Sequence, residues 1–95
     1  MSPGPARPVH VTASAVVSPT PAKVWALVVG KVAAAQTLEL HDCATTGAAA
    51  AGNLVLVVEL DTRGSYPFGD GGAYFATGVV AIVSGGSPDV AVVVG

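Results

Sequence analysis

Gly78-Val79-Val80-Ala81-Ile82-Val83-Ser84, Gly85-Gly86-Ser87-Pro88-Asp89 and Val90-Ala91-Val92-Val93-Val94-Gly95 run consecutively and decide the fold class. Valine and isoleucine are stiff at χ1, which disfavours helix and suits a pleated surface. The Gly/Ser/Pro/Asp cluster between the two runs is turn chemistry. The pattern predicts two strands, 78–84 and 90–95, joined as an antiparallel hairpin. The closing strand, almost entirely valine, carries no group able to do chemistry. A chain that commits its last residues to a sheet, with few polar side chains elsewhere, reads as built to pack and assemble.

Working backwards, residues 54–61 alternate, with Leu54, Leu56, Val58 and Leu60 on one face and Val55, Val57, Glu59 and Asp61 on the other. Residues 37–42 alternate too, placing Leu38 and Leu40 inward and Glu39 and His41 outward. Residues 9–18 read as one strand, in which Val9, Val11, Ala13 and Ala15 alternate with His10, Thr12 and Ser14. Ser18-Pro19-Thr20-Pro21 then forces a turn.

Residues 22–35 are ambiguous. Thr20 and Pro21 make an N-cap and first-turn pair and the alanines favour helix, whereas Val24, Val28, Val29, Val32 and the interior Gly30 oppose it. A strand over 23–29, apolar on both faces as if covered on each side, is the favoured reading. A loop over 31–36 follows it, and a helix is the alternative.

Residues 45–53 are a low-complexity connection, loop or short helical turn. Turns at 62–65 and 69–72 flank a short extended stretch, 66–68, and residues 73–77 lead into the closing pair. The expected fold is all-β: a small antiparallel β-sandwich or barrel-like (jelly-roll-like) domain of six to seven strands over residues 9–95. Residues 1–8, rich in proline, are expected to form a flexible arm.

Composition adds a constraint. The chain has 95 residues, enough for one domain, and 52% are hydrophobic while 11% are charged, against a usual charged share of about a quarter. Aromatics make up 5%, so alanine and valine supply the apolar surface. A core this small does not hide such a surplus, and part of it is expected in a subunit interface. The net charge is −2, and Arg7, Lys23, Lys31 and Arg63 do not cluster, which argues against nucleic acid and against membrane surfaces as partners. The N-terminal residues contain no apolar signal region, and the longest apolar run, 24–35, is too short to span a bilayer. A soluble chain made in the cytosol is expected.

The residues that could carry chemistry are few. In a strand, His41 and Cys43 share a side and Asp42 points to the other, so Asp42 cannot orient His41 as a third catalytic member. Cys43 reads as a small, partly buried hydrophobe, with an intersubunit disulfide as the lesser reading. No ligand spacing for zinc is present, and Asp61 and Asp70 offer too few oxygens for calcium. Gly69-Asp70-Gly71-Gly72 precedes no helix, lacks a lysine and carries an acid, so it is a turn and not a phosphate cradle. No catalytic, cofactor-binding or metal-ligating residue is expected, nor any cofactor. Tyr66, Phe68, Tyr74 and Phe75 form an aromatic group that is either a satellite core beneath a turn or a contact for a subunit or partner. Trp25 is assigned to the core.

With those residues in hand, the chain resembles very small bacteriophage virion proteins encoded among head and tail structural genes. The matching pieces are Ser14-Ala15-Val16-Val17, Pro21 with Trp25, Leu38-Glu39-Leu40-His41-Asp42, Gly71 to Val79, and Gly85-Gly86-Ser87-Pro88-Asp89-Val90. They are turn punctuation, not active-site residues, and residues 73–76 are less regular than the pattern. The resemblance implies a β-sandwich that decorates or cements a capsid as a symmetric homo-oligomer, a trimer favoured. Its partners would be the major capsid protein and itself, on the outside of a virion assembled in a bacterial cytoplasm. A head-fibre or tail-spike module binding a host surface glycan through Tyr66, Phe68, Tyr74 and Asp70 is the alternative.

Overall fold

Alternating valine and leucine give each sheet one apolar face, and burying those faces against each other makes the core. Val11, Val24, Leu27, Val29, Val90, Val92 and Val94 come from one side, and Leu38, Leu40, Val58, Val79 and Ala81 from the other. Leu60 and Phe75 join the same cluster, both fully buried. The computed structural model describes residues 7–69 and 71–95. Its strands are β1 (Arg7–Val11), β2 (Ala15–Ser18), β3 (Ala22–Lys31), β4 (Thr37–His41), β5 (Leu54–Glu59), β6 (Gly64–Pro67), β7 (Ala73–Phe75), β8 (Val79–Val83) and β9 (Asp89–Val94). A five-stranded sheet runs β1-β9-β3-β6 with β7 also on β3, and a four-stranded sheet runs β2-β8-β4-β5. All pairings are antiparallel. The all-β sandwich is as the sequence implies, with nine strands among the described residues in place of six or seven.

The closing hairpin does not form. β8 pairs with β2 and β4, while β9 pairs with β1 and β3 in the opposite sheet. The connection is an arch that crosses the sandwich. Ser84 explains the departure: its N–H donates to Thr37 O at 3.0 Å, and its Oγ accepts from Thr37 N–H at 2.8 Å and donates to Gln36 Oε1 at 2.7 Å. The chain is thus tied to the start of β4 before Gly86, at φ 73°, redirects it. Both valine-rich strands lie between two neighbours, where uninterrupted apolar runs belong.

The single strand expected over residues 9–18 is two. Residues 12–14 bend, and the chain passes from the five-stranded to the four-stranded sheet. At this corner Ser14 Oγ accepts Val83 N–H at 2.9 Å and donates to Val83 O at 3.4 Å, replacing a backbone ladder pair. Arg7 and Pro8, assigned to the arm, belong to β1 opposite Val94 and Val93. Pro8 is tolerated there because β1 is an edge strand. Residues 1–6 of the expected arm lie outside the described residues.

β3 is a strand, and the helix alternative is set aside. Its register jumps from Val24 opposite Val94 to Ala26 opposite Val93, leaving Trp25 as the extra residue of a bulge. The bulge resets the alternation, so Val24, Leu27 and Val29 all reach the core. One face only is covered, contrary to the two-sided burial expected: Val28 is 41% exposed.

Candidate functional site

The outer face of the five-stranded sheet is a regular surface whose rows the strand registers define. Pro8 of β1, Val93 of β9, Ala26 of β3 and Pro67 of β6 stand side by side in one row across four strands. His10, Ala91, Val28 and Ser65 form the next row. At strand spacings of ~4.8 Å the rows are about 14 Å wide, and short side chains keep the slab flat. One end of the slab carries the His10 Nδ1–Asp89 Oδ1 contact of 2.8 Å. At the other, Lys23 Nζ lies 5.5 Å from the centre of the Trp25 ring and stands opposite Tyr74. A flat apolar centre with polar ends has the anatomy of a contact surface. Trp25 is only partly buried, not a core residue proper.

The aromatic group divides between two faces. Phe75 is 0% exposed, which removes it from any contact surface and corrects its place among the contact residues. Tyr66 stands opposite Leu27 and packs on the core with Phe68, both half-buried, as a satellite core requires. Tyr74 alone of the group is exposed, at 64%. Asp70 lies outside the described residues.

The outer face of the four-stranded sheet carries a polar cluster that sequence reasoning missed. His41 is 3% exposed, although alternation points it outward with Glu39. The cause is tertiary: the connection 42–53, with single-turn 3-10 helices at Thr46–Ala48 and Ala51–Asn53, folds over it. His41 Nδ1 lies 2.7 Å from Asn53 Oδ1 and Nε2 lies 2.8 Å from Glu39 Oε1. Burial alone would lower the imidazole pKa, but the contacts to Glu39 and Asn53, the charge of Glu39 and the Ala50 backbone raise it above the ordinary 6.5. Beside the ring is a groove of about 420 Å³ lined by Ala49, Ala50, Ala51, Leu54 and Ile82. Leu54 faces this groove and not the core as expected, because β5 slips by one residue at Val55, pairing His41 with Leu54.

Asp42 turns away from His41. Its Oδ1 accepts Thr77 N–H at 2.8 Å and Gly78 N–H at 3.3 Å, and its Oδ2 accepts Ala76 N–H at 3.2 Å. These donors hold its carboxyl below the usual 3.8, the Thr77 N–H foremost against the opposing effect of burial. Cys43 is buried, with Sγ donating to Thr45 O at 3.4 Å. The three neighbours His41, Asp42 and Cys43 therefore engage different partners, and both ring nitrogens of His41 are occupied. Among the described residues no group of three or more His, Cys, Asp or Glu is placed to hold a metal ion, and no helix is long and apolar enough to cross a membrane. Comparison of the chain with protein-family models, with curated proteins and with solved structures finds no match.

Proposed function

We propose that this protein works by contact, as a decoration (cement) subunit of a bacteriophage head that covers its outer sheet face on capsomers and on copies of itself. The observation that carries the reading is the two-row slab of Pro8, Val93, Ala26 and Pro67 with His10, Ala91, Val28 and Ser65. Small flat side chains lose little rotamer freedom on docking and bury apolar area at about 25 cal/mol per Å². The resemblance of the turn and strand motifs to small virion proteins supplies the identity of the partner, the major capsid protein. The glycan alternative has less support, because Phe75 is buried and Tyr66 and Phe68 pack on the core, which leaves Tyr74 as the one exposed member of the aromatic group it rests on.

The test is co-sedimentation of the purified chain with assembled shells, beside a Val28→Lys variant. Val28 lies mid-row and half out of the sheet, so the variant should fold as the parent does. An ammonium buried without a partner costs several kcal/mol, so shell binding should fall by about tenfold or more. Equal recovery of both proteins with the shells, or of neither, removes the proposal.

A further inference from the structure

The His41 cluster has no part in the contact reading, yet it is the one buried ionisable group of the four-stranded sheet. Its hydrogen-bond bookkeeping has a single solution. Asn53 Oδ1 accepts Ala50 N–H at 3.0 Å, and Asn53 Nδ2 donates to Ala48 O at 2.8 Å. The amide orientation is thereby fixed, because flipping it would place NH₂ against an N–H and oxygen against a carbonyl. Nδ1 of His41 therefore faces an oxygen, and so does Nε2, which meets the Glu39 carboxylate. A neutral imidazole has one N–H and one lone pair, so it leaves one oxygen facing a lone pair. Only the imidazolium satisfies both.

We propose that His41 is a proton-operated latch that holds the connection 45–53 against the four-stranded sheet while both ring nitrogens carry hydrogens. Loss of a proton as pH rises opens it. The hydrogen that stays is the one on Nε2, since a bond to a carboxylate is stronger than one to an amide oxygen. The Nδ1 lone pair then confronts Asn53 Oδ1, whose amide cannot turn without breaking its bonds to Ala48 and Ala50. Asn53 also receives Asp42 N–H at its backbone oxygen, 2.8 Å away, so release at Asn53 loosens the whole closure. Among the described residues Glu39 of β4 is the only ionisable side chain beside His41 in the pocket: the connection, β5 and β8 present none there, and the Asp42 carboxylate is committed to residues 76–78. Val80 is fully buried although it stands opposite His41 and the exposed Val16 on the outer face, and its strand β8 contacts the first 3-10 turn of the connection, so opening would expose it. The chain would then present a second apolar surface only above the pH at which the ring loses its proton.

The experiment is a pH titration of the full-length protein by NMR, reading the two ring nitrogens of His41 and the exchange of the Ala50 and Asp42 amides. The intrinsic base-catalysed rise in exchange is divided out, and the Ala33 amide, bonded to Leu60 O at 2.7 Å at a distance from the latch, is the reference. The form with both nitrogens protonated should predominate at pH 6.5. Protection at Ala50 and Asp42 should fall by about tenfold as Nδ1 loses its hydrogen, the loss of one hydrogen bond. Glu39→Gln should move both changes together to lower pH and leave Ala33 unaffected. A ring already neutral at pH 6.5, a neutral ring that keeps its Nδ1 hydrogen, or protection that does not follow the ring titration each overturns the latch. A Glu39→Gln midpoint equal to that of the parent does the same.

Discussion

Asp42 and His41 are adjacent in the chain and limit stability at opposite ends of the pH scale. Asp42 has its pKa depressed below 3.8 by the N–H groups of Thr77, Gly78 and Ala76, so its contribution is complete above that value and is lost as pH falls through the lowered one. His41 has its pKa raised above 6.5, so its contribution is complete below that value and is lost as pH rises through the raised one. Urea unfolding across this range should show a plateau between the two limits. Asp42→Asn should flatten the acid limb and leave the alkaline one unchanged. At neutral pH Asp42→Ala should cost ~1–3 kcal/mol, since the N–H groups of residues 76–78 lose a charged acceptor. Gly78, at the receiving end of that carboxylate, has no room for a side chain. A Cβ there would lie 2.6 Å from Cys43 O and 2.7 Å from Ser18 O, both backbone atoms that cannot swing aside. Gly78→Ala is expected to destabilise by about 1–3 kcal/mol or more, read as a lowered urea midpoint with unchanged slope.

At the scale of elements, Ser14 shows how one side chain ends a strand. By bonding both backbone groups of Val83 it closes the ladder of β8 where β2 has not yet begun. Ser14→Ala should cost ~1 kcal/mol and speed amide exchange at Val83 above that of Ala81, which has its own strand partners on both sides. The same corner marks what the sequence withheld. Periodicity made the faces of β4 legible, and Leu38 and Leu40 are buried as alternation requires. For β3 it left strand and helix both open, and the β-branched valines with Gly30 were what favoured the strand that forms. Pairing was not legible, because a run of valines states that a strand is buried but not beside which neighbour. The five residues 84–88 serve an arch as readily as a hairpin, and the bond from Ser84 to residues 36 and 37 that selects the arch joins segments far apart in sequence. His41 was given its correct face and the wrong environment, since the roof over it comes from a connection with no periodicity to read. The slab of Pro8, Val93, Ala26 and Pro67 draws one residue from each of four strands scattered over the chain, so only a register assembles it. Phe75 and Tyr74, adjacent and both aromatic, went to opposite faces because β7 is extended, which clustering in sequence cannot express.

For the whole molecule, Leu27 and Val28 test the division between core and contact face with neighbouring residues. Leu27 is 0% exposed and points between the sheets, and Val28 is 41% exposed and points out of the slab. Leu27→Ala should lower stability by ~2–5 kcal/mol, the transfer term plus the cavity left in a packed interior. Val28→Lys should leave the unfolding free energy of the dilute chain within about 0.5 kcal/mol. The two then separate again when protein concentration is raised. If copies bind one another through the slab, association stabilises the folded state by mass action, and Tm must climb with concentration. A domain of this length gains about 4–8 °C in Tm for each kcal/mol, so even weak self-association is measurable by calorimetry over a hundredfold dilution series. The parent should show the climb. Leu27→Ala should show it from a lower starting point, because its outer face is intact. Val28→Lys should be flat, with the Tm of the dilute parent at every concentration. A parent whose Tm ignores concentration assigns the slab to a different partner, and then the same variant must reveal its effect on shells alone.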